Sequence, residues 1–489
     1  MITQDNLLTT IVGDKNVIGN NDICESYSRD NGFSLGENPS RVVKPRTAEQ
    51  IREIVKLANR EGFPLVPVSS RGPRFRGDTV PERKGAVIVD MSDMKSIVRI
   101  DRRSKTALVE PGVTFDELID AAGASGLRVS APLLPRQTKS VVGSLLEREP
   151  TTLPKYHWDM QDPLCCIEVI FGSGDLFRTG SAAGPGSLEA QWASGQAQKS
   201  PMGPSQTDWA KIIQGAQGTM GIVTWASIKL ELMPRVEKAF VMSASNLNDL
   251  VDITYALTGK RYADHCFILN NVNFSSIVNH ASEGEIPRWI LFYTISGYER
   301  FPEERISYIE KDIADLALKM NVKPSANTGP VNADEVLKLI RRSSADPYWK
   351  LRKTGSFEDI IFLGTLDKSP EFINEINREM KTHGIDGEKL GVYLQPVQQG
   401  RVCHFEFSVM YDASDKNESE RVQAFCTGVT KKIMEMGGFF SRPYGKTAHM
   451  VYDRCADTVA ALLKVKSILD PKGVMNPGKL CFNNNQKTK

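Results

Sequence analysis

PTTLPKYHWDMQDPLCCIEVIFGSGDLFRTG, residues 150–180, sets a polar, aromatic loop carrying Asp159 directly before an apolar strand over 165–171. A turn at 172–175 and a short exit strand ending in Arg178-Thr179-Gly180 follow. A short apolar run bounded by turn residues reads as a buried strand. A loop entering such a strand is a place where a fold can hold one carboxylate against a bound group. Upstream, residues 47–61 begin with a Thr cap and repeat Ile51, Ile54, Val55 and Ala58 on one helical face, and Gly62 stops them. The strand FPLVPVSS, the loop RGPRFRGDTVP and the strand GAVIVDM come next, which makes an α/β unit. KTALVEPGVTFDELIDAAGASG then supplies a strand, a Pro-Gly turn and a helix.

Downstream, residues 181–207 are small and polar without periodicity and read as a long surface loop. IIQGAQGTMGIVTWASIKLELMP follows as a glycine-punctuated turn into a strand. From Arg235 the pattern changes to alternating long helices and strands, so a second domain is expected over 236–437. The first domain is then 1–235, divided near residue 100. The tail 438–489 carries a helix stopped by Asp470-Pro471.

With 489 residues, 40% apolar and 25% charged, the chain has the composition of an ordinary globular protein of two or three domains. A formal charge of +2 gives no reason to expect nucleic acid or a membrane surface as a partner. No stretch reaches the apolar length of a membrane span. The N-terminus lacks the basic and apolar pattern of a secretory signal, so the cytoplasm is the expected location. Eight scattered cysteines show no Cys-x-x-Cys spacing, so neither a metal nor an iron–sulfur site is expected. Nor is there a Gly-x-Gly-x-x-Gly dinucleotide fingerprint, a Walker loop or a nucleophile elbow. Gly215, Gly218 and Gly221 have another spacing and lead into a strand. Such turns bind a diphosphate through backbone N–H groups, or are simply surface turns. The residue chemistry alone favours surface turns.

Six segments in order along the chain carry a resemblance: RVVKPRTAEQIREIVKLAN, PLVPVSSRGPRFRGDTVP, ALVEPGVTFDEL, IEVIFGSGDLFRTG, GAQGTMGIVTWASIKLELMP and ILDPKGVMNPGKL. They resemble the flavoprotein family of vanillyl-alcohol oxidase and p-cresol methylhydroxylase, to which glycolate and D-lactate dehydrogenases are also related. The resemblance implies an α+β fold. A two-part FAD-binding domain is completed by the C-terminal segment, and an α/β cap with an antiparallel sheet forms the substrate pocket. It implies non-covalent FAD, because the loop lacks the family's covalent-flavin His.

The implied cofactor residues are Pro67, Ser69, Ser70, Arg71, Gly72, Arg74 and Gly77 in the first loop, and Pro111, Gly112, Gly143 and Ser144 beyond it. Gly218, Gly221, Ile222 and Val223 of the second turn and Asn476 of the tail complete the set. That first loop departs from the family in holding only two glycines, with Arg74 and Arg76 crowding the cofactor side. Asp159, nine positions before Glu168, is implied as the carboxylate beside the flavin, so Asp159→Asn is expected to slow flavin reduction severely. Arg442 is implied to bind a substrate phenolate, with Ser441 where the family has Tyr and Tyr444 in its place.

On the expected strand over 403–407, Cys403, Phe405 and Phe407 share one face and His404 and Glu406 the other. His404 is the expected substrate partner. Tyr393, Gln395 and Glu406 stand beside it as substrate-binding candidates. Related hydroxy-acid enzymes carry a paired-His metal motif at this point, and this chain has a single His.

Three functions follow from this. The first is an FAD enzyme removing hydride from a benzylic or allylic carbon, as of a para-substituted phenol or aromatic alcohol, and passing electrons to oxygen or to an acceptor protein. The second is a 2-hydroxy-acid dehydrogenase. The third is a flavin-poor subunit of a larger redox complex. A homo-oligomer or redox-complex subunit is the expected assembly.

Overall fold

Thr47 accepts a hydrogen bond from the Gln50 amide and so starts the helix Ala48–Glu61. Gly62 ends it at φ 79°, a left-handed conformation open to a residue without Cβ. The chain then enters Leu65–Val68, which runs parallel to Val87–Asp90, itself parallel to Arg41–Val43. With Val17–Ile18 at one edge these strands make the first sheet of a computed structural model that describes residues 4–204, 207–279 and 285–482.

The second sheet is antiparallel and centres on Gly221–Leu232, flanked by Thr106–Val109 and Leu164–Phe171. Every residue of Leu164–Phe171 is buried, which accounts for its unbroken apolar run.

The third sheet has seven antiparallel strands, all drawn from residues 236–411. One face packs under the helices Asn248–Gly259, Pro302–Lys319, Ser369–Thr382 and Lys416–Glu435. Cys403, Phe405 and Phe407 point into that core, where Phe405 stacks on Phe362 with centroids 4.9 Å apart. The opposite face, with Phe267, Phe292 and Tyr393, packs against Leu133 and Leu134 of the N-terminal half. The mixture of helices with parallel and antiparallel sheets is the α+β architecture expected from the sequence.

One polar cluster fastens this cap. Asp264 has no exposed surface and accepts from Arg128 Nη2 (2.6 Å), Lys155 Nζ (2.6 Å) and the Tyr298 hydroxyl (2.7 Å). Burial alone would raise the Asp264 carboxyl, but Arg128 and Lys155 outweigh it and hold it well below the carboxylate range. The tail also returns. Leu65 N donates to Val474 O and Asn476 N to Leu65 O, both at 2.8 Å. Lys466, at the end of the helix Ala456–Leu469, donates to Thr219 O, Met475 O and Asp470.

Residues 181–207 are not a plain surface loop. They include the short helix Leu188–Ala193 and a buried pair, in which Gln198 Nε2 donates to Gln191 Oε1 at 2.7 Å. Gln191 Nε2 donates to Ala182 O and Gly184 O, so side-chain amides replace the ladder bonds that periodicity would have announced. Residues 205 and 206 lie outside the described residues. Among those described, no helix is long and apolar enough to cross a membrane.

Candidate active site

The end of the Leu65–Val68 strand and the Gly215–Gly221 turn meet along one side of a long cavity beneath the cap sheet. The approach is close. A Cβ on Gly218, whose φ is 70°, would lie 2.4 Å from Pro67 Cγ, so only glycine fits. Pro67, Ser69, Ser70, Arg74, Pro111 and Gly143 line this side, as do Gly218, Gly221, Ile222 and Val223.

The remaining expected cofactor residues take other places. Arg71 is exposed and pairs with Asp93 at 2.6 Å, and Gly72 is exposed beside it. Gly77 is buried against Ser34, and Gly112 packs on the Met91, Ser92 and Met94 carbonyls. Ser144 is buried and donates to Glu149 at 2.6 Å. Asn476 is buried and donates to Asp78 O and Gln217 O, joining the two loops from behind. These six support or flank the cavity and do not line it. The periodicity of a loop does not reveal which of its side chains turn inward.

Asp159 is not brought to the cavity. Its side chain is 52% exposed, accepts from the Gln161 amide and pairs with Lys211 at 3.0 Å. The residues preceding it leave the cavity at Pro150, so a position nine residues before Glu168 falls on the outer surface. Gln395 is also spent. It accepts from the Tyr393 hydroxyl and donates to Cys266 O and Pro396 O, with no exposed surface. Ser441 lies outside the lining. Arg442, Tyr444, Tyr393 and Glu406 are inside it, and His404 stands behind Glu406, with Nε2 3.3 Å from Glu406 Oε2.

Several groups in the cavity carry no motif that sequence reasoning could have used. Lys350 is buried, bonded to both Asp359 oxygens at 2.8 Å and to Glu406 at 2.5 Å. Burial alone would lower its pKa, but the two carboxylates outweigh burial and raise it, so it stays charged. On the opposite wall Lys139 meets Glu147 at 2.6 Å, and Arg76 lies 3.6 Å from Glu149. Arg136 lies with its guanidinium 5.4 Å from the Phe75 ring centroid. Lys350 sits 56 residues from Glu406 in sequence, a separation that local pattern cannot bridge. The one available signal was its position in the aromatic run Tyr348-Trp349-Lys350.

Among the buried groups of this lining without a hydrogen-bond partner in the protein are two guanidinium donors, Arg136 Nη1 and Arg442 Nη2. A buried guanidinium with unused N–H groups is costly unless something anionic meets it. Together with the close-set glycine turn, the Arg136 donor suits a ligand carrying anionic groups.

Residues 39–180 match the FAD binding domain family, and residues 344–480 match the C-terminal domain of FAD linked oxidases. This chain belongs to the FAD-linked oxidase family of vanillyl-alcohol oxidase and p-cresol methylhydroxylase. It is similar to the glycolate oxidase subunit GlcD of Bacillus subtilis, at 23% identity over 98% of this chain and 97% of that one. The flavoprotein subunit of 4-cresol dehydrogenase (hydroxylating) of Pseudomonas putida is 29% identical over 62% of this chain and 55% of its own. The crystal structure of p-cresol methylhydroxylase with substrate bound superposes with a TM-score of 0.83 at 20% identity, covering 100% of this chain and 99% of the other. This chain is therefore an FAD-dependent oxidoreductase, and the residues of the cavity fit that cofactor. Among the described residues, no group of three His, Cys, Asp or Glu side chains is placed to hold a metal.

The oxidoreductase should lose stability in mild acid. Burial, as the leading cause, lowers His404 and His265 from 6.5 to about 4. Below 6.5 the unfolded chain takes up protons that the folded protein refuses, so stability present above that pH is lost as pH falls toward about 4. Each depression corresponds to about 3 kcal/mol. Urea midpoints should fall steeply between pH 6.5 and 4, and less so in the His265→Gln variant.

Proposed function

We propose that this oxidoreductase takes a para-substituted phenol or related aromatic alcohol and removes hydride from its benzylic carbon. The observation that carries the reading is Arg442, a buried guanidinium with an unused N–H in a cavity walled by Tyr348, Trp349, Phe357, Tyr393 and Tyr444. Aromatic walls accept a ring, and a guanidinium accepts the charge of a phenolate. Ionising the para oxygen pushes electron density toward the benzylic carbon and eases departure of hydride. Arg442 favours that ionised form. Its Nη1 donates to Glu147 O at 3.3 Å, which orients the guanidinium. Tyr444 stays a neutral hydrogen-bond donor, since burial and then Glu147 raise its phenol. FAD, when bound, supplies the hydride acceptor. Packed walls keep water from the anionic substrate.

A carboxylate substrate would also meet Arg442, and several relatives carry names of 2-hydroxy-acid enzymes. The absence of a metal cluster among the described residues weighs toward the phenol. The acceptor of the electrons is oxygen or a protein, and the 4-cresol dehydrogenase relative is itself named as a flavoprotein subunit.

Anaerobic titration of the purified flavoprotein tests the reading. Bleaching of the flavin by 4-hydroxybenzyl alcohol is expected, and bleaching by D-lactate alone would replace it with the hydroxy-acid reading. Because Asp159 stands at the surface, Asp159→Asn should leave the reduction rate within about twofold, as for other surface changes. A severe loss in that variant would return Asp159 to the chemistry.

A further inference from the structure

A second chamber adjoins the first on the side away from the glycine turn. Its outer rim is formed by Leu35, Thr427, Lys446 and His449, all exposed. The two spaces share a wall of six residues: Phe75, Arg76, Phe357, Asp359, Arg442 and Tyr444.

Five of these six are fastened. Asp359 takes hydrogen bonds from Lys350 and Ser408. Phe75 and Phe357 pack together with centroids 4.9 Å apart. Arg442 donates to Glu147 O, and Tyr444 begins the helix Gly445–Tyr452. Arg76 is held more loosely. Its ion pairs to Glu149 and Glu147 are 3.6 and 3.9 Å long, beyond hydrogen-bond reach, and its guanidinium lies 5.5 Å from the Tyr444 ring centroid.

The chamber suits an anion with an apolar body. Two of its acids are paired, Glu82 with Lys479 at 2.6 Å and Asp359 with Lys350 at 2.8 Å, and Glu37 adds one further carboxylate to the lining. Burial, then Asp359 and Asp30, push Glu358 up to about 8, so it is mostly protonated at neutral pH. Lys446 stands at the rim and Arg76 and Arg442 at the inner end, with Phe33, Phe440 and Met450 between them. A cleft charged in this way draws anions inward.

We propose that this outer chamber is the port through which an anionic aromatic substrate reaches the flavin cavity, and that the Arg76 side chain is its gate. The ligand class rests on the phenol reading above, and the route rests on the shared wall. An obstruction in a port raises the barrier for entering and leaving alike. Both rate constants therefore change by the same factor, and the equilibrium affinity does not change.

The test uses the full-length, FAD-loaded protein and two obstructing variants, Thr427→Trp and Thr447→Trp, whose side chains line the outer chamber alone. Flavin absorbance and circular dichroism establish that each is folded and loaded, and either variant suffices. Stopped-flow binding of 4-nitrophenolate should show association and dissociation both slowed by about tenfold with Kd unchanged. Arg76→Ala should accelerate dissociation, where loss of the gate and loss of its charge act in the same direction. Unchanged rates in the tryptophan variants would overturn the port, as would a weakened Kd at unchanged association rate. Iodide quenching of flavin fluorescence probes the same route without a phenol and should fall in the tryptophan variants. Reduced iodide quenching without any binding of 4-nitrophenolate would keep the port and remove the phenol reading. Undiminished iodide quenching would remove the port itself.

Discussion

Replacing Asp264 by alanine should destabilise the folded protein by about 3–5 kcal/mol, the cost of removing one partner from a buried charge cluster. The carboxylate has no exposed surface and carries three short bonds, from Arg128, Lys155 and Tyr298. Its loss leaves Arg128 buried with the neutral Tyr298 hydroxyl at 2.8 Å and, as its nearest carboxylate, Glu237 at 3.5 Å. Lys155 is 21% exposed and can turn toward water, so the damage concentrates on Arg128. A total stability of about 5–15 kcal/mol makes this a large fraction. Urea unfolding of wild type, Asp264→Ala, Arg128→Ala and the double variant forms the appropriate cycle. The double variant should be less destabilised than the sum of the singles, because neither charge is then left alone. Additive costs would mean that the cluster does not act as a unit. Since Arg128 and Lys155 belong to the N-terminal half and Asp264 to the cap, release of flavin should accompany the early loss of structure.

The second large effect is expected at Arg442. Arg442→Ala should lower the rate of flavin reduction by a phenolic substrate about 10²–10³-fold, the range for removing a preorganised charge stabiliser. Flavin content should stay normal, because the glycine turn and the Pro67–Ser70 strand end are untouched. Arg442→Lys should recover only part of the rate, since an ammonium lacks the planar pair of donors. The pH profile separates a binding role from a structural one. Without the guanidinium the substrate phenol must ionise unaided, so the rate of Arg442→Ala should rise with pH toward the phenol's own pKa. A pH-independent deficit would mean that Arg442 only supports the fold.

The readability of this chain from sequence follows the range of the interactions involved. The helix Ala48–Glu61 is announced by Thr47 and Gly62, which act on their immediate neighbours. Leu164–Phe171 is announced by its own apolar run. Alternation along Val402–Tyr411 correctly separates Phe405 from Glu406, because a strand's two faces are set locally.

The site is less legible. Lys350 becomes a buried cation only because Asp359 and Glu406 arrive on two paired strands. Gln395 shares a face with Tyr393, yet its amide is consumed by Cys266 O from a strand 129 residues away in sequence. Asp159 matched a spacing, but spacing fixes distance along the chain and says nothing about the direction of a loop. Its 52% exposure is a tertiary fact.

The bonds between Leu65 and residues 474–476 also bear on how the protein is made. The first sheet is built from strands that precede the cap, yet its last pairing partner follows the cap in the chain. The intervening cap can assemble on its own sheet while synthesis continues, as domains commonly do. The cofactor half must wait, with the edge beside Leu65 open and the Lys466 cluster unformed. A stalled or shortened product ending before Met475 would therefore carry a finished cap beside an unclosed flavin site. In a cell, such a product would be a target for chaperones and proteases.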